Sequence, residues 1–490
     1  MYHAIIIGAG VTGSCVAREL SRYKLKIAVL EKDSDVCGGA SKSNSATIHS
    51  GHDAKYGTKK AYYNILGNRM YDRLCAELQV PFVRNGTIVF AANQQEWDVV
   101  EKLRNNAEKN GVPDVRVLDR AGLDQIEAGF GNEVMGGLYA PTGGVVCPYS
   151  LVIALCENAA MNGVEFRLNE GVEKVERVSD HYVVQTKSNS YETKLIFNCA
   201  GVNADLFNNM VSKRKLAMIP RKGEHIILDK KFSPYVKSTV SQTPALLQSG
   251  GHTKGMGMIP SVDGTVLLGC TAHDVSDRND SACTRKGLDE IVAYFRSNWR
   301  HLPISKAYHE FPSDGVIGAF SGLRPHLDTD DFVVGECHDS PGFFNAAGIE
   351  SPGLTSAPAI AHELAATAAE RYGFELNPDF NPIRERKKLF REMTAKEREQ
   401  AIRENPGYER IVCRCELVTE ADICAVIRGY IGATNVNAVK MRTRASMGRC
   451  QGGFCGPEII RILSEELHTT PLDITLRGDE SRILLGRVCE

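Results

Sequence analysis

The stretch "AIIIGAGVTGSCVAREL" (residues 4–20) decides the fold, because it reads as a buried strand, a tight glycine turn and a helix. Its glycines Gly8, Gly10 and Gly13 form the pattern G-x-G-x-x-G. The first permits the turn, the second lets a pyrophosphate approach the backbone, and the third allows close packing of the helix on the strand. The helix N-terminus then presents free N–H groups to the phosphates. The pattern predicts a dinucleotide site; a glycine turn without a ligand is the alternative.

A second strand, "KIAVLEK" (residues 26–32), ends at Glu31. A carboxylate at this distance can accept hydrogen bonds from both ribose hydroxyls, which favours FAD or NAD over NADP. Two later stretches favour FAD. The polar run "CGGASKSNSATIHSG" (37–51) offers backbone donors to an extended cofactor, and "AAGIESPGLTSAPAIAHELAATAAERYG" (346–373) predicts a helix that points at an electron-rich ring carbonyl. The alternative for this last stretch is a βα crossover whose glycines serve only packing. The sequence shows no second glycine fingerprint for nicotinamide.

The composition is that of an ordinary globular protein, with 43% apolar and 24% charged residues in a chain of 490. A formal net charge of −2 gives no reason to expect nucleic acid as a partner. No stretch approaches the roughly 18 consecutive apolar residues of a membrane span. The N-terminus lacks the pattern of a secretory signal, so we expect a cytoplasmic protein. In that compartment the fifteen cysteines are expected to be buried or metal-bound rather than paired in disulfides.

Four cysteines near the end of the chain are spaced as metal ligands: Cys413, Cys415, Cys450 and Cys455. The spacing is C-x-C, then 34 residues, then C-x4-C. Four thiolates can hold a 2Fe–2S cluster or a zinc ion, although zinc sites usually use C-x2-C pairs. The glycines of "RCQGGFCGPE" (449–458) let the loop turn backbone N–H groups toward the sulfurs. A chain that holds both a flavin and such a cluster can split a hydride and export single electrons.

The segment between the two halves is rich in charge and predicts a linker with a short helix. Thr394 with Glu397 fits a capping box, and Thr419 with Asp422 fits a second helix cap further on. Pro457 fits the first position of a helix that follows the last cysteine pair.

Several stretches together resemble the D-amino-acid-oxidase-like superfamily of FAD enzymes. They are the fingerprint, "GGASKSNSATIHSG" (38–51), "LIFNCAG" (195–201), "SGLRPH" (321–326) and "GIESPGLTSAP" (348–358). Within that superfamily, residues 1–375 resemble the FAD-dependent glycerol-3-phosphate dehydrogenases and oxidases, with L-2-hydroxyglutarate dehydrogenases as near relatives. Residues 409–470, through "MRTRASMGRCQGGFCGPEII" (441–460), resemble the bacterioferritin-associated-ferredoxin type of 2Fe–2S domain.

The resemblance implies an α/β protein with three parts: a discontinuous Rossmann-like FAD domain, a β-rich α+β substrate domain and a small, mostly helical C-terminal iron–sulfur domain. We expect the FAD domain at 1–82, 148–213 and 315–373, and the substrate domain at 83–147 and 214–314. A linker at 374–408, the 2Fe–2S domain at 409–470 and a tail at 471–490 follow.

The resemblance also implies which residues contact FAD. They lie in the fingerprint, after the second strand, in the polar run, near positions 172 and 200, and around the last predicted helix. They are Gly8, Gly10, Val11, Thr12, Gly13, Glu31, Lys32, Gly39, Ala40, Ser41, Asn44, Ser45, Ala46, Val172, Ala200, Gly201, Gly322, Gly348, Ser351, Pro352, Gly353, Leu354 and Thr355.

His49 is the candidate base for a hydroxyl proton, because an imidazole titrates near neutral pH. The resemblance gives the histidine of this motif that role; a histidine that only binds the cofactor or caps a turn is the alternative. Arg324 can hold a phosphate or a carboxylate through two parallel hydrogen bonds, as the resemblance implies, or form a structural salt bridge. Lys254 is either a second positive charge at the anion or an ordinary loop lysine.

Ser45 and Ser351 are candidates to donate hydrogen bonds to substrate or flavin. The chain departs from the resembled pattern at His225, where an aromatic residue is expected, and at Cys270, where a proline is usual. Both departures fall in the expected substrate domain and therefore bear on substrate identity.

The resemblance implies FAD-dependent oxidation of a small anionic secondary alcohol, with sn-glycerol 3-phosphate oxidised to dihydroxyacetone phosphate as the favoured reaction. L-2-hydroxyglutarate or another 2-hydroxy acid, and an amine or amino acid, are the alternative substrates. We expect a 2Fe–2S relay to a second flavoprotein subunit or a quinone-linked acceptor, and a homo- or hetero-oligomer. An electron-transfer or iron-handling binding module is the alternative from another class.

Overall fold

Strands and helices alternate along the chain in the computed structural model, which describes residues 1–243, 256–478 and 481–486. The first part contains β1 (Tyr2–Ile7), α1 (Val11–Leu20), β2 (Ile27–Leu30), β3 (Thr47–Ile48), α2 (Lys59–Leu78), β4 (Phe82–Val83), β5 (Thr87–Ala91), α3 (Gln94–Asn110), β6 (Arg116–Asp119), α4 (Arg120–Ile126), β7 (Gly136–Ala140), β8 (Gly144–Val146), α5 (Pro148–Met161), β9 (Glu165–Arg167), β10 (Val172–Val178), β11 (His181–Thr186), β12 (Ser190–Asn198) and α6 (Ala204–Val211). The second part contains β13 (Met218–Leu228), β14 (Thr239–Gln242), β15 (Gly257–Pro260), β16 (Val266–Gly269), β17 (His273–Asp274), α7 (Arg285–Asn298), β18 (Val316–Leu327), β19 (Val333–Glu336), β20 (Phe343–Ala347), α8 (Gly353–Tyr372), α9 (Ala395–Glu404), β21 (Ile411–Cys413), β22 (Val418–Thr419), α10 (Glu420–Ile427), α11 (Val436–Thr443) and α12 (Gly456–Glu466).

The first sheet is built around β1, which pairs in parallel with β2 on one side and β12 on the other. Its strand order is β10-β11-β12-β1-β2-β9, and β20 with β19 extends it beside β12. Successive side chains of β1 alternate between two hydrophobic cores, with Ile6 in one and Ile5 in the other. Helices α1, α2, α5 and α8 cover the face of Ile6. The continuous apolar run therefore forms a central strand buried on both faces, as its composition predicts.

The second sheet has the order β17-β13-β16-β15-β14-β5-β7-β6. The other edge of β13 pairs with β18 in a long antiparallel ladder that runs from Met218 opposite Leu327 to Leu228 opposite Val316. A core that includes Phe90, Phe295 and Trp299 packs under this sheet together with α7. The ladder places β18 beside the polar run of the first domain, because a Cβ atom at Gly322 would lie 2.3 Å from the carbonyl oxygen of Ser43. The mixed α/β architecture predicted from the sequence is confirmed.

The C-terminal region forms a small body of short helices, α10, α11 and α12, with the hairpin β21–β22. It has its own hydrophobic core, which includes Val418, Ile423 and Ile459. Both predicted capping boxes are confirmed: Thr394 and Glu397 exchange hydrogen bonds at the start of α9, and Thr419 and Asp422 do so at the start of α10. α12 begins at Gly456, so Pro457 takes the second helical position, one residue later than predicted.

A buried ion pair fastens this body to the domain that contains the first sheet. Both terminal nitrogens of Arg442 donate to the carboxylate of Asp35, each over 2.7 Å, and the arginine side chain is only 2% exposed. Arg444 extends the contact to the second sheet by donating over 2.6 Å to Asp263. Arg442 also donates to the carbonyl oxygen of Ile431, so its guanidinium hydrogen-bonds to more than one residue. The four-cysteine body is thus held against both other parts of the chain.

Within the described ranges 1–243, 256–478 and 481–486, no helix has both the length and the apolar character that crossing a membrane would require.

We predict that Arg442→Met destabilises the C-terminal body by about 3–5 kcal/mol, because it leaves the Asp35 carboxylate without its buried partner. The matched control is Arg428→Met, which removes a bidentate pair with Glu466 made by an arginine that is 69% exposed. That change should cost less than about 1 kcal/mol. Urea unfolding of the full chain, followed by circular dichroism, measures both. Equal losses for the two variants would contradict the anchoring role of Arg442.

Candidate functional site

The fingerprint turn is so tight that two of its positions admit only glycine. Gly8 has φ of +98°, and a Cβ atom there would lie 2.7 Å from the carbonyl oxygen of Cys199 at the end of β12. A Cβ atom at Gly13 would lie 2.0 Å from the carbonyl oxygen of Gly8. The first turn of α1 therefore packs directly on the turn that precedes it. The amide of Val11 donates over 2.9 Å to Ser41 Oγ, which ties the polar run to the helix N-terminus.

Glu31 lies on the other side of the fingerprint turn, and we call the turn together with Ser41 and Glu31 the cradle. Its carboxylate accepts from the amide of Ala9 over 2.7 Å and from the amide of Asp33 over 3.0 Å. Burial and the neighbouring Asp33 charge raise the pKa of Glu31, and the two amide donors oppose that rise. Each carboxylate oxygen keeps a lone pair, so the group can also accept from hydroxyl donors such as those of a ribose. Lys32, the next residue, lies against Gly171 and thus beside Val172.

The polar run that follows is ordered by its own side chains. Asn44 donates to the carbonyl oxygens of Ala40 and Ser41 and accepts from the amide of Ala46. These hydrogen bonds make a compact turn that delivers the chain to β3 and then to His49. The sequence signal for this turn was the concentration of small polar residues.

His49 is fixed from several directions. Its amide donates over 2.9 Å to Thr355 Oγ1, and its carbonyl oxygen accepts from Asn64 over 3.0 Å and Asn68 over 2.9 Å. Its Nε2 lies 3.3 Å from Ser351 Oγ. The two stretches that the sequence singled out, 37–51 and 348–358, thus meet at this imidazole. α8 begins at Gly353, two residues after Ser351, so the positive end of a 20-residue helix lies close to His49.

A second polar cluster lies on the ladder of β13, β16 and β18. Ser45 Oγ lies 3.0 Å from His225 Nε2, and the His225 ring stacks on Phe320 with centroids 4.7 Å apart. His225 is buried, and its Nδ1 has no hydrogen-bond partner among the described residues. The imidazole therefore occupies the position where an aromatic residue was expected, and it stacks as an aromatic residue does.

Arg324 reaches the same cluster from β18. Its Nη2 lies 2.6 Å from Cys270 Sγ and donates to the carbonyl oxygen of Thr271 over 3.1 Å. Burial alone would raise the pKa of the Cys270 thiol, but the charges of Arg324 and His225, with hydrogen bonds from His225 and Ser45, lower it from 9.0 to about 6. Arg324 thus contacts Cys270, one of the two residues that depart from the expected pattern, and His225, the other one, acts on the same sulfur. Lys254 lies outside the described residues.

A third group, which the sequence analysis missed, lies next to Ser351. His326 Nδ1 lies 2.8 Å from Glu350, and the Lys60 ammonium donates to Glu350 over 2.7 Å and to Asp330 over 2.9 Å. Although burial would raise it, the charge and hydrogen bond of Lys60 hold the pKa of Glu350 below its usual range. Because the ammonium already contacts these oxygens, the group is a satisfied ion-pair network. The only sequence signal was that Glu350 and His326 fall inside the motifs "GIESPG" and "SGLRPH".

The four C-terminal cysteines come together at the edge of the molecule. Cys415 Sγ lies 4.0 Å from Cys450 Sγ, and both residues are exposed, whereas Cys413 and Cys455 are buried. Backbone hydrogen bonds from Phe454 and Gly452 lower the pKa of Cys450. Two facing pairs of thiols with amides aimed at the sulfur are the donor set that a 2Fe–2S cluster requires. The glycine loop therefore turns backbone N–H groups toward the Cys450 sulfur, as predicted.

The fold and this site define a flavin-dependent oxidoreductase with an iron–sulfur extension, and comparison with known proteins agrees. Residues 3–367 match the family described as FAD dependent oxidoreductase, and residues 411–465 match the BFD-like [2Fe-2S] binding domain. The chain belongs to this FAD dependent oxidoreductase family, and its cofactors are FAD and a 2Fe–2S cluster.

Two individual proteins and one solved structure show which members of the family this chain is similar to. The chain is 40% identical over 489 residues to a glycerol 3-phosphate dehydrogenase of Caloramator mitchellensis, covering 99% of this chain and 98% of that protein. It is 29% identical to a glycerol 3-phosphate oxidase of Mycoplasma pneumoniae, over 73% of this chain and 92% of that one. The solved structure of L-alpha-glycerophosphate oxidase from Mycoplasma pneumoniae with FAD bound superposes with a TM-score of 0.72 at 26% identity, over 79% of this chain and 99% of that chain.

We predict that Cys450→Ser removes most of the bound iron, because a hydroxyl is a poor substitute for a thiolate in a 2Fe–2S site. Cys450 is exposed, so the change should leave the surrounding core in place. The control is Cys424→Ser, a half-buried residue of α10 outside the four-cysteine group. Iron and flavin per chain are measured after anaerobic purification. Iron retained at the wild-type level in Cys450→Ser would exclude Cys450 as a ligand.

Proposed function

We propose that this protein oxidises sn-glycerol 3-phosphate to dihydroxyacetone phosphate and passes the electrons singly to a separate acceptor. The observation that carries the proposal is that one short segment links the two candidate groups: its Ser45 lies 3.0 Å from His225 in the cluster that contains Arg324, and its His49 is the candidate base. In the proposed reaction the phosphate lies on Arg324, and the hydroxyl on the neighbouring carbon, which becomes the ketone, faces His49. The relatives named for glycerol 3-phosphate support the choice of substrate.

His49 is proposed to take the proton of the reacting hydroxyl at Nε2. Its backbone is held at both the amide and the carbonyl by Thr355, Asn64 and Asn68, so the ring is positioned before substrate arrives. Ser351 Oγ, 3.3 Å from the same nitrogen, sets the ring orientation. FAD, when bound, accepts the hydride from the carbon that bears this hydroxyl.

Arg324 is proposed to hold the substrate anion. Its Nη2 is engaged by Cys270 and Thr271, whereas Nε and Nη1 make no hydrogen bond to other described residues. The guanidinium packs over the backbone of Gly223, where a Cβ atom would lie 2.4 Å from Nη2. Nε and Nη1 therefore each keep an N–H group that a phosphate oxygen can accept, and these groups point in different directions.

The exposed face of the four-cysteine body is proposed as the place where electrons leave. A 2Fe–2S cluster, when bound, carries one electron at a time. Phe454, 57% exposed, lies next to this site with the Arg414 guanidinium 4.6 Å from its ring centroid. An exposed aromatic ring with a basic neighbour is a contact feature for an acidic protein surface. The acceptor is proposed to be a second flavoprotein subunit or a quinone-linked carrier.

The test is anaerobic mixing of the holoenzyme with candidate substrates. We expect glycerol 3-phosphate to bleach the flavin absorbance and then to produce the paramagnetic resonance signal of a reduced 2Fe–2S cluster. In Cys450→Ser the bleaching should persist while that signal is lost. If L-2-hydroxyglutarate or an amino acid bleaches the flavin and glycerol 3-phosphate does not, glycerol 3-phosphate is not the substrate and the compound that bleaches the flavin takes its place. Bleaching without any reduction of the cluster would refute the relay.

We predict that His49→Ala lowers the rate of flavin reduction by about 10²- to 10⁴-fold, the usual contribution of a positioned general base. The backbone contacts of residue 49 survive the change, so flavin content should not fall. His338→Ala, at an exposed position, is the matched control and should keep the wild-type rate. Stopped-flow absorbance follows both. A His49→Ala variant with normal flavin content, whose flavin glycerol 3-phosphate reduces at an unchanged rate, would refute His49 as the base.

A further inference from the structure

Cys270 is held in a setting unlike that of the other described cysteines outside the four-cysteine group. Burial raises the pKa of thiols such as Cys15 and Cys199, which lie in the core of the first sheet. Cys270 is half-buried at the end of β16, and its sulfur lies 2.6 Å from the Arg324 guanidinium. The guanidinium stabilises the thiolate form, which is the nucleophilic form of cysteine.

Three adjacent strands fix this arrangement. β13 lies between β16 and β18, and its residue His225 pairs with Gly269 on one side and Phe320 on the other. The thiol, the imidazole and the guanidinium therefore stand on neighbouring strands of one ladder. The buried Nδ1 of His225, without a partner among the described residues, adds an unsatisfied polar atom to the cluster. Ser45 closes it from the segment that leads to His49.

The sulfur and a substrate anion compete for the same cation. With no anion bound, the Cys270 sulfur is a side-chain partner of Arg324 Nη2. A phosphate that approaches Nε or Nη1 would share the guanidinium with the sulfur and shield the sulfur from solvent. A larger oxidised sulfur would stay on Arg324 and obstruct that approach.

We propose that Cys270 is a modification site, at which a hydroperoxide oxidises the sulfur to a sulfenic acid that blocks the anion end of the substrate site. The thiolate attacks one peroxide oxygen, an S–O bond forms, the O–O bond breaks, and hydroxide or an alkoxide leaves. The sulfur loses two electrons and the peroxide gains them. This inference rests on the proposed function only in taking Arg324 as the anion site.

The first test is alkylation of the holoenzyme by iodoacetamide, with peptides quantified by mass spectrometry over a range of pH. Cys270 should reach half its maximal rate near the pKa of about 6, because only the thiolate reacts. Cys283, half-buried with a pKa raised mainly by burial, is the internal control and should react slowly near neutral pH. Arg324→Met should slow Cys270 alkylation at neutral pH by roughly tenfold or more, since the stabilising charge is gone.

The second test uses hydrogen peroxide with dimedone, which traps sulfenic acids. Each variant is compared with its own untreated sample, and the readouts are the dimedone adduct and substrate-dependent flavin reduction. Wild type and Cys283→Ser should both form the adduct at Cys270 and lose flavin reduction. Cys270→Ser should form none there and resist the treatment.

The inference is overturned if Cys270 is alkylated no faster than Cys283 near neutral pH, or if peroxide leaves no adduct on it. If Arg324→Met fails to bind flavin, the pH at which alkylation of Cys270 in the wild-type protein is half-maximal decides by itself whether this thiol is activated. If glycerol 3-phosphate does not reduce the flavin, the proposed function fails. The alkylation and adduct measurements still judge this inference separately.

Discussion

The contact between Gly13 and the carbonyl oxygen of Gly8 is the constraint on which the rest depends. It lets α1 start directly over the turn after β1, with its first amides at the carboxyl edge of a parallel sheet. Neighbouring parallel strands end at the same edge, which is where ligands of open α/β sheets bind. β2 delivers Glu31 there, and β12 delivers Cys199 against Gly8. A side chain at either glycine would separate the helix from the strands and open the cradle.

Much of this could be predicted from local patterns, because each has a steric or electrostatic cause within a few residues. The fingerprint, the capping boxes at Thr394 and Thr419, and the four-cysteine spacing are of that kind. The contacts of Arg324, Cys270 and His225 could not be predicted, since they depend on strand register. Ser45 meets His225 across 180 positions of sequence. A shift of one residue between β13 and β18 would turn Arg324 to the other face of the sheet.

The two departures from the expected pattern prove to be one feature. His225 and Cys270 were noted separately in the sequence as residues of unexpected type. In the structure Cys270 contacts Arg324 directly, and His225 acts on the same sulfur and stacks on Phe320. His225 lies on β13, and Cys270 directly follows the β16 residue that pairs with it, so strand pairing brings the two residues together. The ion-pair network of Lys60, Glu350 and His326 was missed because its members come from three elements that are distant in sequence.

The proposed electron path has two transfers, an internal one from the flavin to the cluster and an external one from the cluster to the acceptor. The buried pair between Arg442 and Asp35 bears on how the internal transfer responds to ionic strength. Asp35 lies four residues beyond Glu31, so the C-terminal body is fastened to the chain that forms the ribose side of the cradle. Salt screens a buried pair weakly and an exposed one strongly. The internal transfer should then proceed at the same pace in dilute and concentrated buffer. The external one, at Arg414 and Phe454, should slow as counter-ions accumulate around the guanidinium.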